Sequence, residues 1–415
     1  MAHSPLFARS LTASRNGRLS LFGLLYFVQG TLLAYVLVFN NLYLRNFGAS
    51  AAQLSLLNGL LVLPFIFKIG IGLLSDRAPL RLPLLGRGHR VPYMTLGLIM
   101  TTMGGALATA VHPVEQYGWY LVVALFIAFG LAFYDTTADG LAVDTTPQAE
   151  HDLVQGTMLI GRSLGFITMA AVYGRLIVAY DWQIVFWIVI GLSLLPHPWL
   201  RFVHEPAQRA ATQQFSWQAL RALWRPEIGR FALYAVVYSI AVYGANAIVT
   251  LFANEELGST IVQVGDVAAL GGIGMLLGSA IALSLGHRVS IWLQGRLTAV
   301  LVTATLLLIA WVATLENIIF ITLLWGVCLA AAELVFLTLS MAKTDPRVGA
   351  GQFAIFMAIS NAGTGIGQSV ATGLIDTVPF SWIFVGLAVI NLLSFPLLAV
   401  MRADAPPPQA AELSY

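Results

Sequence analysis

Five charged side chains stand deep inside long apolar runs of this 415-residue chain. They are Lys68, Asp135, Asp139, Arg162 and Glu333. The runs are about 20 residues long, which is the length that a membrane-spanning helix needs. A charge at the middle of a bilayer costs at least about 2.5–3.5 kcal/mol, so such a side chain faces a partner or water. These five residues are therefore the first candidates for proton transfer or for binding a charged solute.

Two acids and two bases among them form a candidate cluster. Asp135 and Asp139 are four residues apart, which places them on one face of a helix. Counting along their runs puts Arg162 and Lys68 at a similar depth. Because a carboxylate and an ammonium change their proton affinity when they pair or separate, we expect a relay or a solute contact that rearranges. A static ion-pair contact between helices is the alternative.

Three further residues belong to the candidate site. Glu333 stands alone in its run and is either a protonation site or a hydrogen-bond partner of a neighbouring helix. Gln29 and Asn361 are polar residues within spans, and we expect them to line a central cavity. The alternative is an ordinary interhelical hydrogen bond, worth about 0.6 kcal/mol.

The composition sets the class of protein. Apolar residues make up 58% of the chain and charged residues only 10%, against about 45–50% and about 25% in soluble proteins. The sequence therefore predicts a helical membrane protein and argues against a soluble enzyme. A net charge of +2 argues against a nucleic-acid partner. Without a nucleophile-base pair, a metal-ligand spacing or a nucleotide motif, we expect no enzyme activity, no metal and no cofactor.

Runs of about 20 apolar residues divide the chain into twelve spans. They lie near residues 19–43, 51–75, 92–111, 118–143, 154–178, 182–202, 229–252, 262–286, 292–314, 317–341, 350–375 and 380–401. With the N-terminus in the cytoplasm, all but four of the 21 lysines and arginines fall inside, as the positive-inside rule requires. The exceptions are Arg45 and Arg175 near outer ends, and Lys68 and Arg162 within spans. Both termini are therefore expected in the cytoplasm.

The longest polar stretch separates two sets of six spans. The predicted segments are a cytoplasmic N-terminal segment (1–18), an N-terminal six-helix half (19–202), a cytoplasmic linker (203–228), a C-terminal six-helix half (229–402) and a disordered tail (403–415). The predicted fold class is thus an all-α integral membrane protein with twelve transmembrane helices in two six-helix halves. We expect it to function as a monomer in the bilayer. Asp266, at the start of the eighth span, is interpreted as a helix cap.

The loop after the second span carries a motif, GLLSDRAPLRLPLLGRGHRVPY. Its principal residues are Gly72, Asp76, Arg77, Arg87 and Arg90. An aspartate and several arginines at a helix end can bind neighbouring helices together, although a positive-inside cluster would also place arginines here. Together with the two six-helix halves, this motif resembles that of the major facilitator superfamily.

Shorter segments resemble one branch of that superfamily. They are PFIFK ending at Lys68, FYDTTADGLAVD ending at Asp144, Gly161-Arg162 with Gly165, and GQFAIFMAISNAGTGIGQ ending at Gln368. They are similar to segments of a branch that holds folate–biopterin transporters, AmpG-like muropeptide permeases and acetyl-CoA transporters, and the last segment is closest to the folate–biopterin pattern. The twelve spans leave no room for the extra pair that muropeptide permeases carry, which argues against a muropeptide substrate.

These resemblances imply a function. They imply a secondary active transporter that moves a sizeable organic solute, bearing rings or negative charge, by alternating access. From the acids of the fourth and tenth spans, we expect the proton gradient to drive it. The expected location is a bacterial plasma (inner) membrane. The loop GRGHRVPY is also similar to PucC-like bacteriochlorophyll-delivery proteins. That similarity implies the alternative, a pigment-delivery or assembly factor in the membrane.

Overall fold

The computed structural model describes residues 10–82, 86–205, 225–285, 288–344 and 349–403. Twelve long helices make up nearly all of this part of the chain. They are α1 (Arg15–Asn46), α2 (Ala51–Arg77), α3 (Val91–Ala108), α4 (Tyr117–Thr145), α5 (His151–Tyr180), α6 (Gln183–Leu200), α7 (Pro226–Glu255), α8 (Ile261–Leu285), α9 (Ile291–Val312), α10 (Ile318–Lys343), α11 (Gly349–Gly373) and α12 (Phe380–Arg402). Most of the predicted linker and nearly all of the predicted tail lie outside the described residues.

Eleven of these helices are long and apolar enough to cross a membrane. The remaining one, α11, has 25 residues, but glycines and polar residues such as Asn361 make it less apolar. It contacts α7 and α2 and so lies within the bundle. The predicted all-α architecture is confirmed, with one addition. β1 (Leu80–Leu82) and β2 (Gly86–Gly88) form a short antiparallel hairpin between α2 and α3.

The turns that follow α1 and α7 share one local structure. Gly48 and Gly258 have φ angles of 83° and 73°, a left-handed conformation that glycine adopts without strain at a helix end. In both turns, a hydroxyl residue and the glutamine three residues later exchange hydrogen bonds as a capping box (Ser50–Gln53 and Thr260–Gln263). The two halves therefore repeat each other in local structure as well as in helix number.

Glycines bring equivalent helices into close contact in each half. A Cβ atom on Gly165 of α5 would lie 2.1 Å from the carbonyl oxygen of Phe27 in α1. A Cβ atom on Gly367 of α11 would lie 2.4 Å from the carbonyl oxygen of Ile240 in α7. At these distances only glycine fits, because any side chain would displace backbone atoms. The pairs α1–α5 and α7–α11 are thus counterparts in the two halves.

The two halves meet along α2 with α11 and along α5 with α8. In the first contact, the hydroxyls of Ser55 and Ser369 hydrogen-bond at 2.8 Å. In the second, a Cβ atom on Gly265 would lie 2.5 Å from the carbonyl oxygen of Ala170. Small side chains therefore form much of the contact surface between the halves.

Ion pairs join the halves on one face of the bundle, the face where α1 ends, which we call the distal face. Arg45 pairs with Glu255 through two hydrogen bonds of 2.6 and 2.8 Å, and its Nη1 donates to Oδ1 of Asp376 at 2.9 Å. Arg175 of α5 pairs with Asp266 of α8 at 2.7 and 3.1 Å. We call these five residues the distal ion-pair network. Since every pair in it crosses between the halves, the bundle is closed on this face.

Asp266 is not a helix cap, and that interpretation is wrong. The cap of α8 is Thr260, whose backbone N–H and hydroxyl both contact Gln263. Asp266 lies further along the helix, where its carboxylate faces Arg175 of the other half. Its cationic partner, Arg175, comes from a distant part of the chain, which no pattern near Asp266 reveals.

The opposite face, where α1 begins, is called the basic face. Here Nη2 of Arg18 pairs with Glu150 at 2.5 Å, and Arg90 pairs with Asp76 and Asp144. Between described residues, all ion pairs on this face stay within the first half. Ion pairs between described residues therefore hold the halves together on the distal face alone.

Candidate functional site

The second helix is interrupted at the depth of the central charges. α2 consists of three helical segments, Ala51–Leu61, Leu63–Ile66 and Lys68–Arg77. Pro64 has no N–H to donate to the preceding turn, and Lys68 follows the second interruption. The carbonyl of Phe65, inside the interrupted stretch, accepts a hydrogen bond from Nδ2 of Asn361 in α11 at 3.2 Å. Broken helices at this depth are typical of cavities between transporter halves, and this one links Lys68 to the other half.

Lys68 and Asp135 form an ion pair between α2 and α4. The ammonium of Lys68 donates to one carboxylate oxygen of Asp135, and the amide nitrogen of Gln29 in α1 donates to the other. Asp135 is 8% exposed, whereas the Lys68 side chain is 30% exposed and its ammonium lies 5.5 Å from the ring centroid of Phe65. The amide oxygen of Gln29 is buried and has no hydrogen-bond partner among the described residues. The buried carboxylate is thus satisfied by two donors, while the lysine remains accessible.

Asp139 lies one helical turn further along α4 and is exposed. It accepts a hydrogen bond from the hydroxyl of Tyr26 in α1. The charge of Arg162 in α5 acts on both Tyr26 and Lys68. The two predicted acids and two predicted bases are therefore close together in the first half, on α2, α4 and α5. Arg162 forms no ion pair with the described residues.

Glu333 lies in α10 of the second half, apart from that cluster. Its charge acts on Tyr238 and Tyr243 of α7. Tyr243 is also within electrostatic range of Arg162. Glu333 has neither a hydrogen bond nor an ion pair with the described part of the chain. Arg162 and Glu333 therefore act electrostatically on the same tyrosine from opposite halves.

Three contact groups of this site were not among the principal sequence candidates. They are the hydroxyl of Tyr26, the backbone carbonyl of Phe65 and the side chain of Tyr243. Pro64 was the signal for the interruption of α2, because proline disrupts a helix interior. No local pattern marks Tyr243, whose role depends on residues from both halves.

Arg90 is the centre of the loop motif on the basic face. Its guanidinium pairs with Asp76 at 2.7 Å and with Asp144 at 2.8 Å, and donates to the Ser75 hydroxyl at 2.9 Å. The carboxylate of Glu205, beyond α6, accepts the backbone N–H of Arg90 at 2.9 Å, at the start of α3. This arrangement holds α2, α3 and α4 together.

The other motif residues have less central positions. Gly72 lies in α2, where a Cβ atom would be 3.7 Å from the Thr136 methyl group. Arg77 is exposed. Arg87 lies on β2, where its backbone is paired with that of Arg81. Within the described residues, the contacts of the motif thus depend mainly on Asp76 and Arg90.

The sequence matches one family over most of its length. The sequence model of the Major Facilitator Superfamily matches residues 22–358. The chain belongs to the major facilitator superfamily. No curated protein matches it.

Solved structures of major facilitator transporters share its fold. The crystal structure of the nucleoside transporter NupG has a TM-score of 0.76 at 13% identity, and covers 93% of this chain and 99% of its own. A variant of NupG has a TM-score of 0.78 at 14% identity, over 92% and 99% of the two chains. A bacterial homologue of the human lysosomal transporter Spinster, inward-facing and unoccupied, has a TM-score of 0.68 at 16% identity, over 94% and 98%.

As a superfamily member, the chain is a multi-pass integral membrane protein with the fold of transporters that carry small solutes. Transporters with this fold work by alternating access. The comparisons support the superfamily without distinguishing a branch within it.

Proposed function

We propose that the chain is a proton-coupled secondary transporter of a small organic solute. The observation that carries this proposal is the Lys68–Asp135 ion pair beside the interrupted segment of α2. Lys68 is tied to the second half through the neighbouring Phe65 carbonyl and Asn361. Movement of α11 relative to the first half would therefore displace the short middle segment of α2, which ends next to Lys68.

The coupling follows from the cost of an unpaired charge. When the halves rock and Lys68 moves away, the buried carboxylate of Asp135 loses its cation. A carboxylate without a cation in a poorly solvated place binds a proton more readily. Re-forming the pair releases that proton, so one cycle carries a proton in step with the change of state. Asp139, Gln29, Arg162, Glu333 and Asn361 are proposed to contact solute or proton at the same site.

The basic face is proposed to be cytoplasmic, in a bacterial inner membrane. Lysines and arginines gather on that face, as the positive-inside rule requires of cytoplasmic ends. The distal network would then close the outer side of the transporter. The chain is proposed to work as a monomer, since each half contributes to one site between them.

Transport is tested in proteoliposomes with a defined solute mixture. The mixture contains equimolar solutes of four charge classes. Amino acids, dipeptides and betaines are bipolar, and carboxylates and sugar phosphates are anionic. Polyamines and quaternary amines are cationic, and nucleosides and sugars are neutral. We expect at least one solute to accumulate when a pH gradient is imposed and to stop accumulating when an ionophore collapses it. Accumulation of nothing, with or without the gradient, would contradict the proposed function. Accumulation that the ionophore leaves unchanged would contradict proton coupling.

A pigment-delivery role, suggested by the loop similarity, gains no support from the comparisons. The proposed function predicts that the purified protein has no absorption bands of a bound chlorophyll-type pigment.

A further inference from the structure

The central acids of the two halves, Asp135 and Glu333, hold corresponding positions, but among the described residues only Asp135 has a cationic partner. Asp135 and Glu333 stand the same number of residues before the ends of α4 and α10. Both helices end at the basic face, so the two carboxylates lie at similar depths. Asp135 is paired with Lys68. The residue at the corresponding distance from the start of α8 is Gly278.

A basic side chain that could pair with Glu333, as Lys68 pairs with Asp135, has no room at Gly278. A Cβ atom on it would lie 2.5 Å from the carbonyl oxygen of Val327 in α10. In the second half, the two helices α8 and α10 therefore pack closely at the position where the first half has its cation. Glu333 is left with a charge that no described residue of the chain neutralises.

Several aromatic residues lie near this carboxylate. Phe336, one turn after Glu333 on the same helix face, stacks on Tyr238 with a centroid distance of 5.3 Å. Tyr243 lies 6.3 Å from Tyr238, measured between ring centroids. A carboxylate close to aromatic residues suits an organic cation, because aromatic rings and the carboxylate both attract positive charge.

Of the four central charged groups in the first half, Arg162 is the one for which the described residues show neither an ion pair nor a side-chain hydrogen bond. The acids there have donors already, since Asp135 is bound by Lys68 and Gln29, and Asp139 by Tyr26. Arg162 therefore keeps a guanidinium with no carboxylate partner among the described residues. The planar fork of that group suits a carboxylate or a phosphate.

We propose that the solute is bipolar, with an anionic group that binds Arg162 and a cationic group that binds Glu333. This inference rests on the proposed transport function and names its substrate class. An anion alone would leave Glu333 unpaired at membrane depth, and a cation alone would leave Arg162 unpaired. A bipolar solute pairs both charges at once. Because the two residues belong to opposite halves, binding it also draws the halves together around the site.

The charge class of the solute is tested with the defined solute mixture. Mass spectrometry of the liposome interior should find that the accumulated solutes come from the bipolar group. If only anionic, cationic or neutral solutes accumulate, this inference is overturned while the proposed transport function stands. If nothing accumulates, the proposed function itself fails.

Variants separate solute binding from a structural role. Each accumulated bipolar solute is compared with two analogues, one with its cationic group neutralised and one with its anionic group neutralised. Glu333→Gln should lower the uptake ratio of the bipolar solute to its anionic analogue at least ten-fold. Arg162→Gln should lower the ratio to the cationic analogue by a similar factor.

The conservative variants Glu333→Asp and Arg162→Lys keep the charges and should retain most of both ratios. They serve as folding controls, together with a single symmetric peak in size-exclusion chromatography. Loss of uptake for all three forms in equal proportion would show that the two residues act structurally, and would overturn the inference.

Discussion

The carboxylates at the centre of the bundle differ in what their oxygens contact. Asp135 has both oxygens occupied by donors from other helices, and Asp139 has a tyrosine hydroxyl. Glu333 has no such contact with the residues that the structure describes, although it lies at a depth similar to that of Asp135. Depth in the bundle alone therefore does not determine which contacts an acid makes in this protein. The hydrogen-bond donors on neighbouring helices determine these contacts.

Residue-scale contacts also decide stability on the basic face. Arg90→Ala would leave Asp76 and Asp144 without their shared cation. Removing one partner of a buried pair costs about 3–5 kcal/mol, and partial exposure of Asp76 favours the lower end of that range. We expect a thermal unfolding midpoint several degrees lower in detergent. Arg77→Ala, at an exposed position of the same motif, should leave the midpoint within a degree; an equal fall in both variants would contradict the role given to Arg90.

The helices themselves were predictable from the sequence, because runs of 20 apolar residues carry a strong signal. The ends of the helices were less predictable. α7 begins at Pro226, ahead of the predicted boundary, since proline fits the first turn of a helix. The hairpin of β1 and β2 was missed, as its strands are three residues each and carry no alternating pattern.

The contact between α1 and α5 gives a test at the scale of elements. Gly165→Ala would push a methyl group against the Phe27 carbonyl oxygen, which a Cβ atom would approach to 2.1 Å. The helices must separate, which also disturbs Tyr26 beside the site. We expect a lower unfolding midpoint and reduced uptake. Gly156→Ala on the same helix meets nothing within 4 Å and should be neutral or raise stability by up to about 1 kcal/mol; the reverse order of midpoints would refute this account of the contact.

Across the whole molecule, the distal network relates the two halves. Arg45 and Glu255 each stand three residues before a glycine with positive φ, so they are counterparts that pair with each other. They lie 210 residues apart in the chain, and no local sequence pattern predicts a partner at that separation. The repeated turn Gly48–Gln53 and Gly258–Gln263 was the one available signal, because it aligns the ends of α1 and α7.

Removing Arg45 should therefore open the distal face. Exposed ion pairs contribute about 0.2–1 kcal/mol each, so Arg45→Gln should raise the ratio of distal-open to distal-closed molecules about five-fold. Spin labels at Phe47→Cys and Glu256→Cys, with Cys328→Ser, report the distance across the face. We expect a larger fraction at long distance. Arg288→Gln, a loop position on the basic face, is the control, and an unchanged distance distribution in Arg45→Gln would count against the network.

The measurement closest to the central claim is proton movement coupled to solute movement. Liposomes with a pH-sensitive dye inside are given one solute that the defined mixture has shown to accumulate. In the original chain and in Asp152→Asn, an exposed aspartate at the start of α5, the solute should enter and the internal pH should change with it. In Asp135→Asn, the solute should still move down its own gradient, while the internal pH stays constant. Proton movement in Asp135→Asn equal to that of the original chain would contradict the account.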